Sequence, residues 1–169
     1  DNIILILGDN IFYGDDISLS GLTVSGTGRI YAKGKIDITN CTIASGIEIA
    51  SDSTINITNS TLGSNVNSIS NSIVLYSKAG LTISGSIVRG LIFNLGTNLA
   101  ISGSSNILGA LYTCSTTTTI TGSTITGSIV SKYGASLSNS TISKGSLPPV
   151  YGLAYGFGSM IIPGSYLEY

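Results

Sequence analysis

One short pattern recurs along this chain at nearly fixed spacing, and it limits what the chain can fold into. Two apolar positions, two residues apart, are followed by Ser or Thr and then by Gly or Asn, as in Ile36-Asp37-Ile38-Thr39-Asn40 and Leu81-Thr82-Ile83-Ser84-Gly85. The second apolar anchors are Leu19, Ile38, Ile57, Ile83, Ile101, Ile120 and Leu137, so the separations are 19, 19, 26, 18, 19 and 17 residues. A period of this length marks a solenoid of stacked units. Hairpin-built sandwiches give antiparallel alternation and no such in-register repeat.

Each column of the repeat has a physical reading. Residues two apart in a strand face the same side, so the anchors point inward. Between them stand Ser18, Asp37, Asn56, Thr82, Ala100, Thr119 and Ser136, which face water. The next column is Ser or Thr in all seven copies, and the column after it is Gly21, Asn40, Asn59, Gly85, Gly103, Gly122 and Asn139. Gly and Asn tolerate positive φ best, which makes this column a sharp corner. Two further apolar columns are expected inside. One is Val24, Ile43, Leu62, Val88, Asn106, Ile125 and Ile142; the other is Ile11, Ile30, Ile49, Leu75, Phe93, Tyr112 and Ile129. Three inward columns per repeat predict an all-β, single-stranded parallel β-helix, a β-solenoid of seven triangular rungs of 17–19 residues stacked about 4.8 Å apart. The strict hexapeptide pattern of left-handed helices is absent, so a right-handed coil is expected.

Composition agrees with this and excludes other classes. Ser, Thr, Asn and Gly make up 80 of the 169 residues, yet mean hydropathy is +0.44 because Ile occurs 26 times. That aliphatic content argues against a disordered tail and for strands. With two Glu and five Lys, long amphipathic helices have no solvent face. Seven scattered Lys and Arg and a net charge of −1 give no nucleic-acid patch. No apolar run approaches a membrane span. The chain reads as a single β-helix domain over 1–169. Residues 1–9 form a lead-in strand covering the first rung, and 10–145 the seven rungs with a loop insertion near 65–71. Residues 146–169, within which Pro148-Pro149 stops the rung pattern, are read as an aromatic C-terminal cap. The start at Asp1, without Met, suggests a mature or excised piece.

Catalytic and metal chemistry find little support. The chain has no His, the commonest general base and metal ligand. Cys41 and Cys114 fall on rungs two and six, about 19 Å apart, too far for a disulfide, and both are expected to be free and buried. Asp9, Asp15 and Asp16 could attract calcium, but no Asp-rich nonapeptide repeat accompanies them, and a solvated loop is expected. Only Asp37 with Asp52 or Glu48 could supply a glycosidase pair. No metal, cofactor or enzymatic activity is expected.

The surface offers more. Tyr31, Tyr76 and Tyr112 fall on rungs two, four and six close to one column, with Tyr112 one register step off. Two rungs span about 9.6 Å, near the repeat of an extended β-glucan, whose sugar faces stack on aromatic rings. Tyr13, Tyr133, Tyr151 and Tyr155 could extend that platform. The Ser/Thr/Asn/Gly/Ile rungs, such as 35–43 and 115–127, resemble the tāpirin family of type IV pilus-associated surface proteins. The closing Pro163-Gly164-Ser165-Tyr166-Leu167-Glu168 resembles the ends of pilus-associated β-helix proteins. The resemblance implies a noncatalytic, extracellular cell-surface adhesin that binds insoluble polysaccharide, cellulose in particular, and has pilus or cell-surface components as further partners. A structural subunit of a surface appendage, without a ligand, is the alternative.

Overall fold

The computed structural model describes residues 3–63 and 72–144. All regular structure among them is β, in a twelve-stranded and a seven-stranded sheet whose strands pair in parallel. The chain winds as a β-solenoid of about seven turns, each turn contributing to three sides. The first side holds Ile11–Gly14, Gly28–Ala32, Ile47–Ser51 and Ile73–Ser77, and the second Ile17–Ser20, Ile36–Thr39, Thr54–Thr58 and Gly80–Ser84. The third holds Leu22–Ser25, Thr42–Ile43 and Thr61–Leu62. In later turns the third and first sides merge into single strands, Ile87–Asn94, Asn106–Thr113 and Thr124–Ser131.

The second side follows the repeat as read. Ile36 pairs with Ile55, Ile55 with Leu81 and Leu81 with Leu99, all buried. The corner column also holds, because all seven Gly and Asn residues have φ between 48° and 67°. Just past it runs a buried serine ladder. The Cys41 N–H donates to Ser60 Oγ at 3.0 Å, that of Ser60 to Ser86 Oγ at 3.0 Å, and that of Ser86 to Ser105 Oγ at 3.2 Å. Each of the hydroxyls of Ser60 and Ser86 in turn donates to the carbonyl two residues before it, at 2.8 Å. A hydroxyl here occupies little volume and satisfies backbone groups that the sharp corner removes from the strand ladder.

Four inward assignments are corrected by one residue. Ser104, itself at φ 60°, is an extra corner residue after Gly103. It moves the next inward position from Asn106 to Ile107, which pairs with Val88 and Ile125, and it puts Ser105 rather than Ser104 in the serine ladder. The corner after the first side is one residue longer in rungs five and six. The inward residues there are therefore Ile92 and Leu111, not Phe93 and Tyr112. In rung one it is a residue shorter, so Phe12 and not Ile11 pairs with the buried Ile30.

Where the third and first sides merge, Gly90, Gly109 and Gly127 stack in register with φ of 155°, 154° and 146°. A Cβ on Gly109 would collide with the carbonyl oxygen of Gly90, and one on Gly127 with that of Gly109. Successive backbones can approach at this bend only because the column lacks side chains.

The lead-in strand Ile3–Ile6 pairs with Leu22–Ser25 and lengthens the third side. It covers the first rung on that side alone, since Ile11 and Tyr13 on the first side stay largely exposed, as do Ile3, Ile4 and Ile6 themselves. The expected insertion near 65–71 and the aromatic cap over 146–169 lie outside the described residues.

Candidate aromatic flank

On the first side the inward residues are sealed in the core, which frees two outward columns to carry surface chemistry. The register of one column is Tyr13, Tyr31, Ala50, Tyr76, Phe93, Tyr112 and Val130. Tyr112 is thus fully in register, and Phe93, expected inside, joins the same outward line. The sequence signal was present at the strand ends, where an aromatic precedes a small or polar residue: Tyr13-Gly14, Tyr31-Ala32, Tyr76-Ser77, Phe93-Asn94 and Tyr112-Thr113. Reading back from the following anchor missed it because the intervening corners differ in length. Tyr133 is exposed in the last corner under the Lys132 ammonium, 4.9 Å from its ring centroid, and stands outside the column. Tyr151 and Tyr155 lie outside the described residues.

The two ends of this flank differ chemically. Over rungs one to four the rings are tied to charges. Tyr13 and Tyr31 stack at 5.6 Å with 25° between their planes, and the Lys33 Nζ lies 5.8 Å from the Tyr13 centroid. The Tyr31 hydroxyl donates to Asp52 Oδ2 at 2.7 Å, while Lys78 Nζ reaches Asp52 Oδ1 at 2.6 Å. Lys78 and then Tyr31 hold the Asp52 carboxyl below the usual range, and that carboxylate raises Tyr31 above the ordinary phenol value. Beside them Arg29 Nε and Nη2 both donate to Glu48 Oε2, at 3.0 and 2.7 Å. Over rungs four to six the neighbouring outward column is apolar, with Val74, Leu91 and Ala110 beside Tyr76, Phe93 and Tyr112. Leu91 points outward and is still only 6% exposed. Phe93 and Tyr112 lie 6.3 Å apart, and the Cys114 thiol donates to Tyr112 Oη at 3.6 Å.

Each of the three carboxylates considered for a glycosidase pair is held by a cationic side chain. Glu48 is engaged by Arg29 and Asp52 by Lys78, while Asp37 is on the second side with Lys35 at 2.9 Å and Asn56 Nδ2 at 2.8 Å. Asp9 accepts from Thr27, and Asp16 Oδ1 from the Lys35 amide at 2.8 Å. Among the described residues no group of three or more His, Cys, Asp or Glu side chains is placed to hold a metal ion. Both cysteines are free, but Cys114 is half-buried on the outer surface, not in the core as expected. Among the described residues no helix is long and apolar enough to cross a membrane. No family model, curated protein or solved structure matches this chain.

Proposed function

We propose that this protein is a noncatalytic carbohydrate-binding module that holds insoluble polysaccharide, cellulose first among candidates, along its aromatic flank. The observation that carries the reading is the single outward register of Tyr13, Tyr31, Tyr76, Phe93 and Tyr112. The strand positions of Tyr31, Tyr76 and Tyr112 recur every second rung, about 9.6 Å apart along the backbone, a spacing close to that of alternate sugars in an extended β-glucan. Tyrosine suits such a ligand because an apolar ring meets the C–H face of a sugar while the hydroxyl remains a hydrogen-bond partner. Single contacts of this kind are weak, and a repeated surface multiplies them. An adhesin of this type acts outside the cell, attached to surface components. Adsorption isotherms on microcrystalline cellulose, with insoluble xylan as the control polymer, test the reading. Saturable retention on cellulose is expected, and passage through both polymers would overturn it.

A second reading, a structural subunit without a ligand, is favoured by one observation. Among the described residues, large hydrophobic side chains stay exposed on the lead-in strand and the first turn, at Ile3, Ile4, Ile6, Ile11, Phe12 and Tyr13. Open parallel edges with apolar side chains invite pairing. Sedimentation that reveals growing assemblies with concentration, without cellulose retention, would select this reading.

A further inference from the structure

Ala50 interrupts the aromatic column between Tyr31 and Tyr76. An outward alanine between two rings should leave an open notch one rung high, about 4.8 Å. Ala50 is nevertheless only 9% exposed. The Tyr31 side chain reaches diagonally past this position from the rung before it. Asp52 sits two residues past Ala50 on the same rung, so the hydrogen bond from the Tyr31 hydroxyl to Asp52 Oδ2 draws that ring one rung along the solenoid axis. Lys78 holds the other carboxylate oxygen from the rung beyond. Tyr13 leans the same way, toward Lys33 on the following rung. Its offset stacking on Tyr31, at 5.6 Å and 25°, is that of overlapping shingles.

We propose that Asp52 is a positioning residue that lays Tyr31 over Ala50, turning two rings of the ladder into a flat platform for one pyranose unit. The assignment rests on the carbohydrate reading above and names the part of the flank that reads a single sugar. Rings standing upright between equal neighbours offer a ligand their edges. A ring laid across a methyl group offers a face, and stacking on a sugar requires a face. Lys78 and Lys33, at the margins of the platform, bring ammonium donors within reach of sugar hydroxyls.

The test is adsorption of the full chain to microcrystalline cellulose for the parent, Asp52→Leu, Asp52→Asn, Tyr31→Phe and the double variant Tyr31→Phe/Asp52→Leu. Asp52→Leu and Tyr31→Phe should each weaken retention about fivefold. The double variant should lose no more than either single change, because both break one coupling. Asp52→Asn keeps an acceptor oxygen and should bind like the parent. The chain has no Trp, so the ultraviolet titration reports tyrosine alone; Tyr31 and Tyr112 both ionise above the ordinary phenol value, and only Tyr31, raised by Asp52, should return toward it in Asp52→Leu, while Tyr112, raised beside Cys114, should not. If Asp52→Leu fails to fold, Tyr31→Phe carries the same comparison. A retained parent with unchanged retention in Asp52→Leu and Tyr31→Phe, or with additive losses in the double variant, would overturn the assignment and leave the carbohydrate reading standing. A parent that does not adsorb would overturn both.

Discussion

The first and second sides of the solenoid are built on the same inner plan and dressed in opposite ways. Inside, Ile30, Ile49 and Leu75 on the first side match Ile36, Ile55 and Leu81 on the second, all essentially inaccessible. Outside, the second side carries Ser18, Asp37, Asn56, Thr82, Ala100 and Thr119 in one column and Ser or Thr in the other. The first side carries a column of tyrosines and a phenylalanine, while ion pairs occur on both, Arg29–Glu48 and Lys78–Asp52 on the first and Lys35–Asp37 on the second. Backbone pairing and core packing therefore explain the inner columns of both sides, and they would be served by any small polar residues outside. The aromatic column is an addition that the fold does not require.

The largest expected effect tests the shared interior. Ile49→Ala on the first side and Ile57→Ala on the second should each cost about 2–5 kcal/mol in denaturant unfolding. A cheap Ile49→Ala would mean that the aromatic side is not part of the same core. Next come the corners that close the second side. Asn59, at φ 48°, should lose about 1 kcal/mol on change to Ala and little or nothing on change to Gly. Equal stability of the two variants would remove the backbone explanation of the Gly/Asn column.

Smaller effects separate the outer surfaces. Phe93→Ala should cost on the order of 1 kcal/mol through its contact with Tyr112, whereas Thr82→Ala should stay within about 0.5 kcal/mol. A reversed order would indicate that the hydroxyl side, not the aromatic one, supports folding. The smallest effect is acid sensitivity. Asn56 and Lys35 depress the Asp37 carboxyl and Lys78 and Tyr31 the Asp52 carboxyl. Their contribution to stability is complete at neutral pH and is lost as pH falls through the depressed folded-state values. Unfolding midpoints should drop below the ordinary carboxylate range, and Asp37→Asn should flatten that slope while Thr82→Ala leaves it unchanged.

Much of this architecture was legible in the residues because the interior obeys a strict period. The anchors of the second side and the positive-φ corners can be placed by counting. The first side was harder, since corner lengths vary by a residue and one step exchanges inside for outside. Phe93 and Tyr112 were misplaced for that reason, and Ile107 was missed behind the extra Ser104. The Tyr31–Asp52–Lys78 chain joins residues 21 and 26 positions apart. Its members meet only because three successive turns stack, and no local motif announces them.

The most direct test of the account compares matched triple variants of the two sides on microcrystalline cellulose. Tyr31→Ala/Tyr76→Ala/Tyr112→Ala strips the aromatic flank, and Thr39→Ala/Thr58→Ala/Thr121→Ala strips the hydroxyl flank. The tyrosine variant, still folded by circular dichroism, should lose at least tenfold in retention, while the threonine variant should adsorb like the parent. Retention that survives loss of the tyrosines and falls with loss of the threonines would contradict the account.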